Sequence, residues 1–185
     1  MDLDVKMLTN RRSAPELSKQ AGVLSIEMIV VLGIVILILL GVAGRIAVAY
    51  LSNDNTAELT NISAIYGVIK DTKTTVGYGT SGTDLSATVI ATGKLPTNIA
   101  VSGNAITNQF GGTYVMTSTG QGFTLTTPSI PQKNCVKIAS GSTQTGQWTS
   151  STVNSGSATT GPMSTPQAVT ACSSATNSIT LNSSY

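Results

Sequence analysis

Residues 22–44, GVLSIEMIVVLGIVILILLGVAG, form the one long apolar run of the chain. No residue from Met28 to Gly44 carries a charge, and residues 23–26 extend the run to about 20 residues, the length that crosses a bilayer. Glu27 alone interrupts it. A carboxylate in an apolar helix costs roughly 2.5–3.5 kcal/mol near the bilayer centre and less near the surface, so Glu27 calls for a partner. Beyond the run, Leu51, Leu59, Ile62, Ile65, Tyr66 and Ile69 recur largely at helical spacing. Asn53, Asp54, Asn55, Glu58, Asn61 and Lys70 fill the opposite side. The pattern predicts one continuous helix of about 50 residues, near 75 Å long, starting at Val23. Its first half is apolar all round and its second half amphipathic. Gly33, Gly41 and Gly44 inside the apolar half suit close helix packing. They also mark a weak point where the helix could unwind, because glycine costs roughly 0.8–1 kcal/mol against alanine.

After Asp71 the pattern changes. Gly77, Gly79 and Gly82 predict a loop, and residues 84–91 (DLSATVIA) a short helix with Asp84 as N-cap and Gly93 beyond its end. Pro96 then sets a turn, and Ile99, Val101 and Ile106 are expected to point inward. Residues 113–118 (TYVMTS) and 123–127 (FTLTT) alternate and are rich in β-formers, which predicts a hairpin with residues 119–122 as the turn. Pro131 opens a predicted helix through Cys135 to Ala139. Residues 140–161 are rich in Ser, Thr and Gly, and read as a long loop or irregular strands. A last strand fits residues 178–182 (SITLN). The fold class is therefore α+β: a long N-terminal helix packed on a small C-terminal antiparallel β-sheet head.

What precedes the apolar run sharpens this. Residues 1–22 are polar, contain Lys6, Arg11, Arg12, Glu16 and Lys19, and end in Ala21-Gly22. A secretory signal has its small-residue cleavage site after the apolar region, whereas here it lies before. A cut after Gly22 removes the leader, keeps the helix, and leaves the new amine of Val23 one helical turn from Glu27. A Gly, an apolar run and Glu at its fifth position resemble the class III signal of type IV prepilins. The long leader and Val23 in place of phenylalanine resemble the type IVb branch. The order of the later features is similar to the thin-pilus pilins of conjugative plasmids and their enterobacterial relatives. Those features are a short helix before Lys94-Leu95-Pro96, then Asn108-Gln109-Phe110-Gly111-Gly112, a hairpin, Pro131-x-x-x-Cys135, a late Cys172 and a closing strand.

The resemblance implies a major pilus subunit, with a runner-up reading as a type II secretion pseudopilin. It implies that a prepilin peptidase cuts after Gly22 and methylates Val23, and that Glu27 recruits the next subunit. It further implies a single-span inner-membrane stage, inner-membrane assembly machinery, a helical homopolymer outside the cell and a minor tip adhesin. The implied divisions are a leader (1–22), a transmembrane and filament-core helix (23–44), its amphipathic continuation (45–75) and the globular head (76–185). The implied use is attachment of mating pairs in conjugation, or else host adhesion and bacterial aggregation. A third reading, a binding protein on a plain anchor helix, needs no processing before the helix.

Composition narrows the chemistry. Charged residues make up 10% of the chain, which has 185 residues. Beyond residue 22 six basic and five acidic side chains remain, too balanced for a nucleic-acid footprint. Histidine is absent, so neither a metal site nor a general-base constellation is evident. No cofactor is expected. Asp54, Glu58, Asp71 and Asp84 read as solvated charges on or beside a helix face, and Trp148 as a core or interface anchor. The two cysteines, Cys135 and Cys172, lie on the translocated side of the implied topology. They read as one disulfide, two unpaired buried thiols being the other possibility.

Overall fold

The structure, a computed structural model, describes residues 26–184, and for residues 40–52 the backbone course alone. The leader 1–22, Gly22 and Val23 lie outside the described residues. The chain divides between Ala43 and Gly44. Helix α1 runs Ile26–Asp71, 46 residues without a break, and ends where its apolar spacing ends. Among the described residues no helix is long and apolar enough to cross a membrane. The described side chains of the apolar run are those of residues 26–39.

In the unit from Gly44 onward, α1 leads through a glycine-bearing loop to α2 (Ser86–Ala91). The helix starts two residues later than Asp84, with Leu85 at the N-cap position. The Asp84 carboxylate still serves the helix start, because its Oδ1 accepts the Ser86 N–H at 2.9 Å. Gly93 follows the helix at φ +64°, the left-handed conformation that glycine adopts at low cost. A small hairpin, β1 (Ala100–Ser102) with β2 (Ala105–Thr107), comes next. Ile99 and Ile106 point inward as expected. Val101 does not: it is 43% exposed on a strand with no buried residue.

The main sheet is antiparallel throughout. The expected hairpin is β3 (Val115–Ser118) with β4 (Phe123–Pro131), and the Thr119 N–H donates to the Gly122 carbonyl across the turn. β4 outruns its prediction because a bulge between Thr127 and Ile130, with Ser129 at φ +65°, restores the inward alternation for Ile130. Helix α3 (Gln132–Thr143) follows Pro131. It runs past Ala139 because its end packs on α1. The Gly141 position faces Leu59 so closely that a Cβ would lie 3.0 Å from it. Ser140 and Thr143 also turn their hydroxyls back onto the carbonyls of Val136 and Ala139.

The segment 140–161, read as a long loop or irregular strands, holds two short strands, β5 (Ser150–Val153) and β6 (Thr159–Thr160), and α4 (Thr165–Ala171) follows it. The last strand, β7 (Thr176–Ser183), is longer than foreseen and lies in the middle of the sheet, whose order is β3-β4-β7-β5-β6. One face of the sheet supplies Met116, Phe123, Leu125, Ile179 and Leu181 to the core. Ile62, Ile65 and Ile69 of α1 complete it, and Trp148 stands edge-on to Tyr66 and Phe123. Cys135 and Cys172 form a disulfide that ties α3 to the residue after α4.

Candidate functional site

Two parts of α1 carry unusual chemistry. The first is its start. From residue 26 to residue 39, every large hydrophobic side chain is between 45% and 78% exposed. Glu27 is the acid in the first turn and is exposed. Monomeric soluble proteins rarely present so long an apolar surface, which marks it for contact with lipid or other proteins. Val23, the expected partner type for Glu27, lies outside the described residues.

The second part overturns an expectation. Asn55, Glu58 and Asn61 do not lie on a solvated face. They are 6%, 0% and 0% exposed, and each reaches a different piece of the head. Asn55 Oδ1 accepts from Asn134 Nδ2 on α3 at 2.8 Å. Asn61 Oδ1 accepts from Asn98 Nδ2 at 3.0 Å. Between them, Glu58 Oε1 accepts from the Tyr114 hydroxyl and the Thr127 hydroxyl, both at 2.8 Å, and Oε2 accepts from the Gln109 N–H at 3.1 Å. A buried charge is tolerated only when donors of this kind surround it.

The loop 108–112, Asn-Gln-Phe-Gly-Gly, is built to present that N–H. The Asn108 carboxamide oxygen accepts from the Phe110 and Gly112 N–H groups, and its nitrogen donates to Thr127 Oγ1 and the Pro128 carbonyl. Gly111 sits at φ +80°. At Gly112 a Cβ would lie 2.6 Å from the Pro128 carbonyl oxygen, so only glycine fits without a shift. Burial pushes the Glu58 carboxyl above the usual carboxylate range, opposed by the Gln109 N–H and the Thr127 and Tyr114 hydroxyls. Burial, then the charge of Glu58, pushes the Tyr114 phenol well above its ordinary value. Helical periodicity gives no hint of this cluster. The residue pattern 108–112 is the signal that could have located it.

Among the described residues no group of three or more His, Cys, Asp or Glu side chains could hold a metal ion. Asp71 and Asp84 are exposed, as expected, and Asp54 is half-buried; Asp71 pairs with Lys94 at 2.8 Å on the surface.

The family model described as PilS N terminal matches residues 52–184, which begins within α1 and takes in the whole head. The chain belongs to the PilS family. The PilS-family chain is similar in structure to the type IVb pilin from Salmonella typhi, with a TM-score of 0.60 and 24% identity over 69% of this chain and 98% of that one. It is also similar to TcpA, a type IV pilin from Vibrio cholerae El Tor biotype, with a TM-score of 0.52 and 11% identity over 70% of this chain and 98% of that one. No curated protein matches it. The PilS-family chain is thus a type IVb pilin in fold, with the long helix, antiparallel sheet and disulfide that its sequence predicts.

Proposed function

We propose that this chain is the major structural subunit of a type IVb pilus and polymerises through its N-terminal helix into an extracellular filament. The observation that carries the reading is the exposed apolar stretch 26–39, which begins with one acid. Such a surface needs a cover, and identical helices from other subunits provide one in the filament. Before assembly the cover is the inner membrane. The run that crosses it comprises residues 23–44, longer than the stretch whose side chains are described.

In this reading a prepilin peptidase cuts after Gly22 and methylates Val23. Inner-membrane machinery then extracts the subunit, and Glu27 pairs with the Val23 ammonium of a neighbour. The pairing relieves two charges that are costly to leave alone in a low-dielectric core. Hydrophobic contact among residues 29–40 then holds the filament. A minor tip adhesin completes it. The resemblance to thin-pilus pilins favours attachment of mating pairs in conjugation as its use.

The test is a strain in which Glu27→Gln is the sole pilin. Processing continues, and extracellular filaments are lost in electron micrographs of sheared material. Normal filaments from that strain would refute the pairing. Mass spectrometry of the mature N-terminus should find methylated Val23; an intact leader would remove the prepilin reading altogether. Liquid mating with the chain deleted tests the use. Unchanged transfer would redirect the pilus to host adhesion or aggregation.

A further inference from the structure

We propose that Glu58 and the loop that receives it, residues 108–112, fix the axial register of α1 on the head. The apolar contact does this only in part. A slip of one turn, four residues and about 5.4 Å, still brings one isoleucine to another's place, Ile69 to that of Ile65 or Ile65 to that of Ile69. The other two isoleucine places then receive Tyr66 and Lys73, or Glu58 and Asn61.

The polar contacts are not tolerant. If Ile62 moves to the place of Glu58, the Tyr114 and Thr127 hydroxyls and the Gln109 N–H lose their shared acceptor inside the core. If Asp54 moves there instead, its side chain is one methylene shorter, and Glu58 is carried to the apolar site of Ile62. Either slip leaves a buried charge or several buried donors unsatisfied, and breaks the Asn55–Asn134 and Asn61–Asn98 bonds as well. A single buried polar side chain fixing the register of an otherwise apolar helix contact is a well-attested role. Here the fixing group sits in a receptor whose own shape depends on Asn108 and on the close approach at Gly112. For a filament the consequence, which rests on the subunit reading above, is that every head sits at the same height along its helix.

The test uses the full chain in detergent micelles with its native disulfide kept. Asn98→Cys is combined with Asn61→Cys to report the native register, and with Ala57→Cys to report the one-turn slip that carries Asp54 to the place of Glu58. After mild oxidation, only the 61–98 pair should cross-link when Glu58 is present. Adding Glu58→Leu should shift the ratio of slipped to native cross-links by about tenfold or more, the change expected when buried donors lose their shared acceptor. Cross-linking confined to the 61–98 pair in that variant overturns the proposal. Should Glu58→Leu not fold, judged by lost helical circular dichroism and protease resistance, Glu58→Gln serves instead. It keeps one acceptor but turns an amide toward its donors. A raised slipped fraction supports the proposal, and an unchanged ratio overturns it. Absence of filaments from the unmodified chain would count against the subunit reading and leave the register result standing.

Discussion

Reduction of the Cys135–Cys172 disulfide should cost the head about 4 kcal/mol. The two residues are separated by 37 positions, and in the chain-entropy picture a loop of that length removes close to this much free energy from the unfolded state. The enclosed segment contains β5, β6, α4 and the Ser/Thr/Gly-rich turns between them, so the unfolded chain has many conformations for the bridge to exclude. Residual compactness of the unfolded chain lowers the figure by a few tenths of a kcal/mol. Both cysteines are buried, so reduction in place keeps the packing and isolates the cross-link. The double variant Cys135→Ala/Cys172→Ala adds the loss of two buried sulfurs and should be less stable still. For a chain of this size, a loss of 4 kcal/mol lowers the melting temperature by about 8–16 °C. The assay is thermal unfolding of the full chain in detergent, followed by circular dichroism with and without reductant. Faster hydrogen exchange should be concentrated in α3, α4 and β5, which the bridge holds together. A shift below about 2 °C, with reduction verified by mass, would refute the entropic account.

Four further outcomes follow from the same geometry. The Glu58 carboxyl lies above its ordinary value of about 4.3 in the folded head, so its contribution to stability is full below that value and is lost as pH rises through the raised folded value. The stability of the native chain minus that of Glu58→Gln, measured by urea unfolding across pH, should therefore decline as pH rises above the ordinary carboxylate range; a flat or rising difference contradicts the assignment. Gly112→Ala should destabilise the head by about 1–3 kcal/mol in the same assay, because its Cβ would strike the Pro128 carbonyl beneath Asn108. Leu125→Ala, at a fully buried position in the central sheet, should cost about 2–5 kcal/mol. Lys94→Ala, which removes the exposed ion pair with Asp71, should cost less than about 1 kcal/mol, and a larger loss would show that the pair is not the surface contact it looks to be.

The elements that announced themselves in the sequence are those whose pattern is local. The α1 stripe at Ile62, Ile65 and Ile69, the alternation at Val115–Ser118 and over residues 123–127, and the two cysteines all depend on near neighbours or on simple counting. Glu58 did not announce itself, because on a helix among Asn and Asp side chains a glutamate looks solvated. Its donors come from residues 51, 56 and 69 positions away, and only the fold brings them together. The extension of α3 past Ala139 has the same origin: Leu59 of α1 covers Gly141, a contact that propensity cannot contain. Helix α4 is different, because its signal was present. Ser164 with Gln167 three residues on, and Pro166 between them, form a helix start in which the Ser164 N–H and hydroxyl both donate to Gln167 Oε1. The surrounding Ser, Thr and Gly residues obscured it.

Glu27 and Glu58 solve related problems. An apolar helix surface is adhesive but indifferent to register, since one leucine or isoleucine serves nearly as well as the next. Residues 26–39 offer nothing but such surface apart from Glu27, and the stripe of Ile62, Ile65 and Ile69 repeats in part under a one-turn shift. Uniqueness then has to come from groups that lose several kcal/mol when misplaced, which buried carboxylates do. In the proposed filament Glu27 would select one position among neighbouring helices, and Glu58 would select one position of the helix on its own head. If both hold, a filament of uniform rise requires both acids, and removing Glu58 should blur the axial repeat without abolishing assembly, whereas removing Glu27 abolishes assembly itself. Electron microscopy of filaments from the two single variants separates these outcomes. A sharp, native repeat from Glu58→Leu would show that the head finds its height by apolar packing alone.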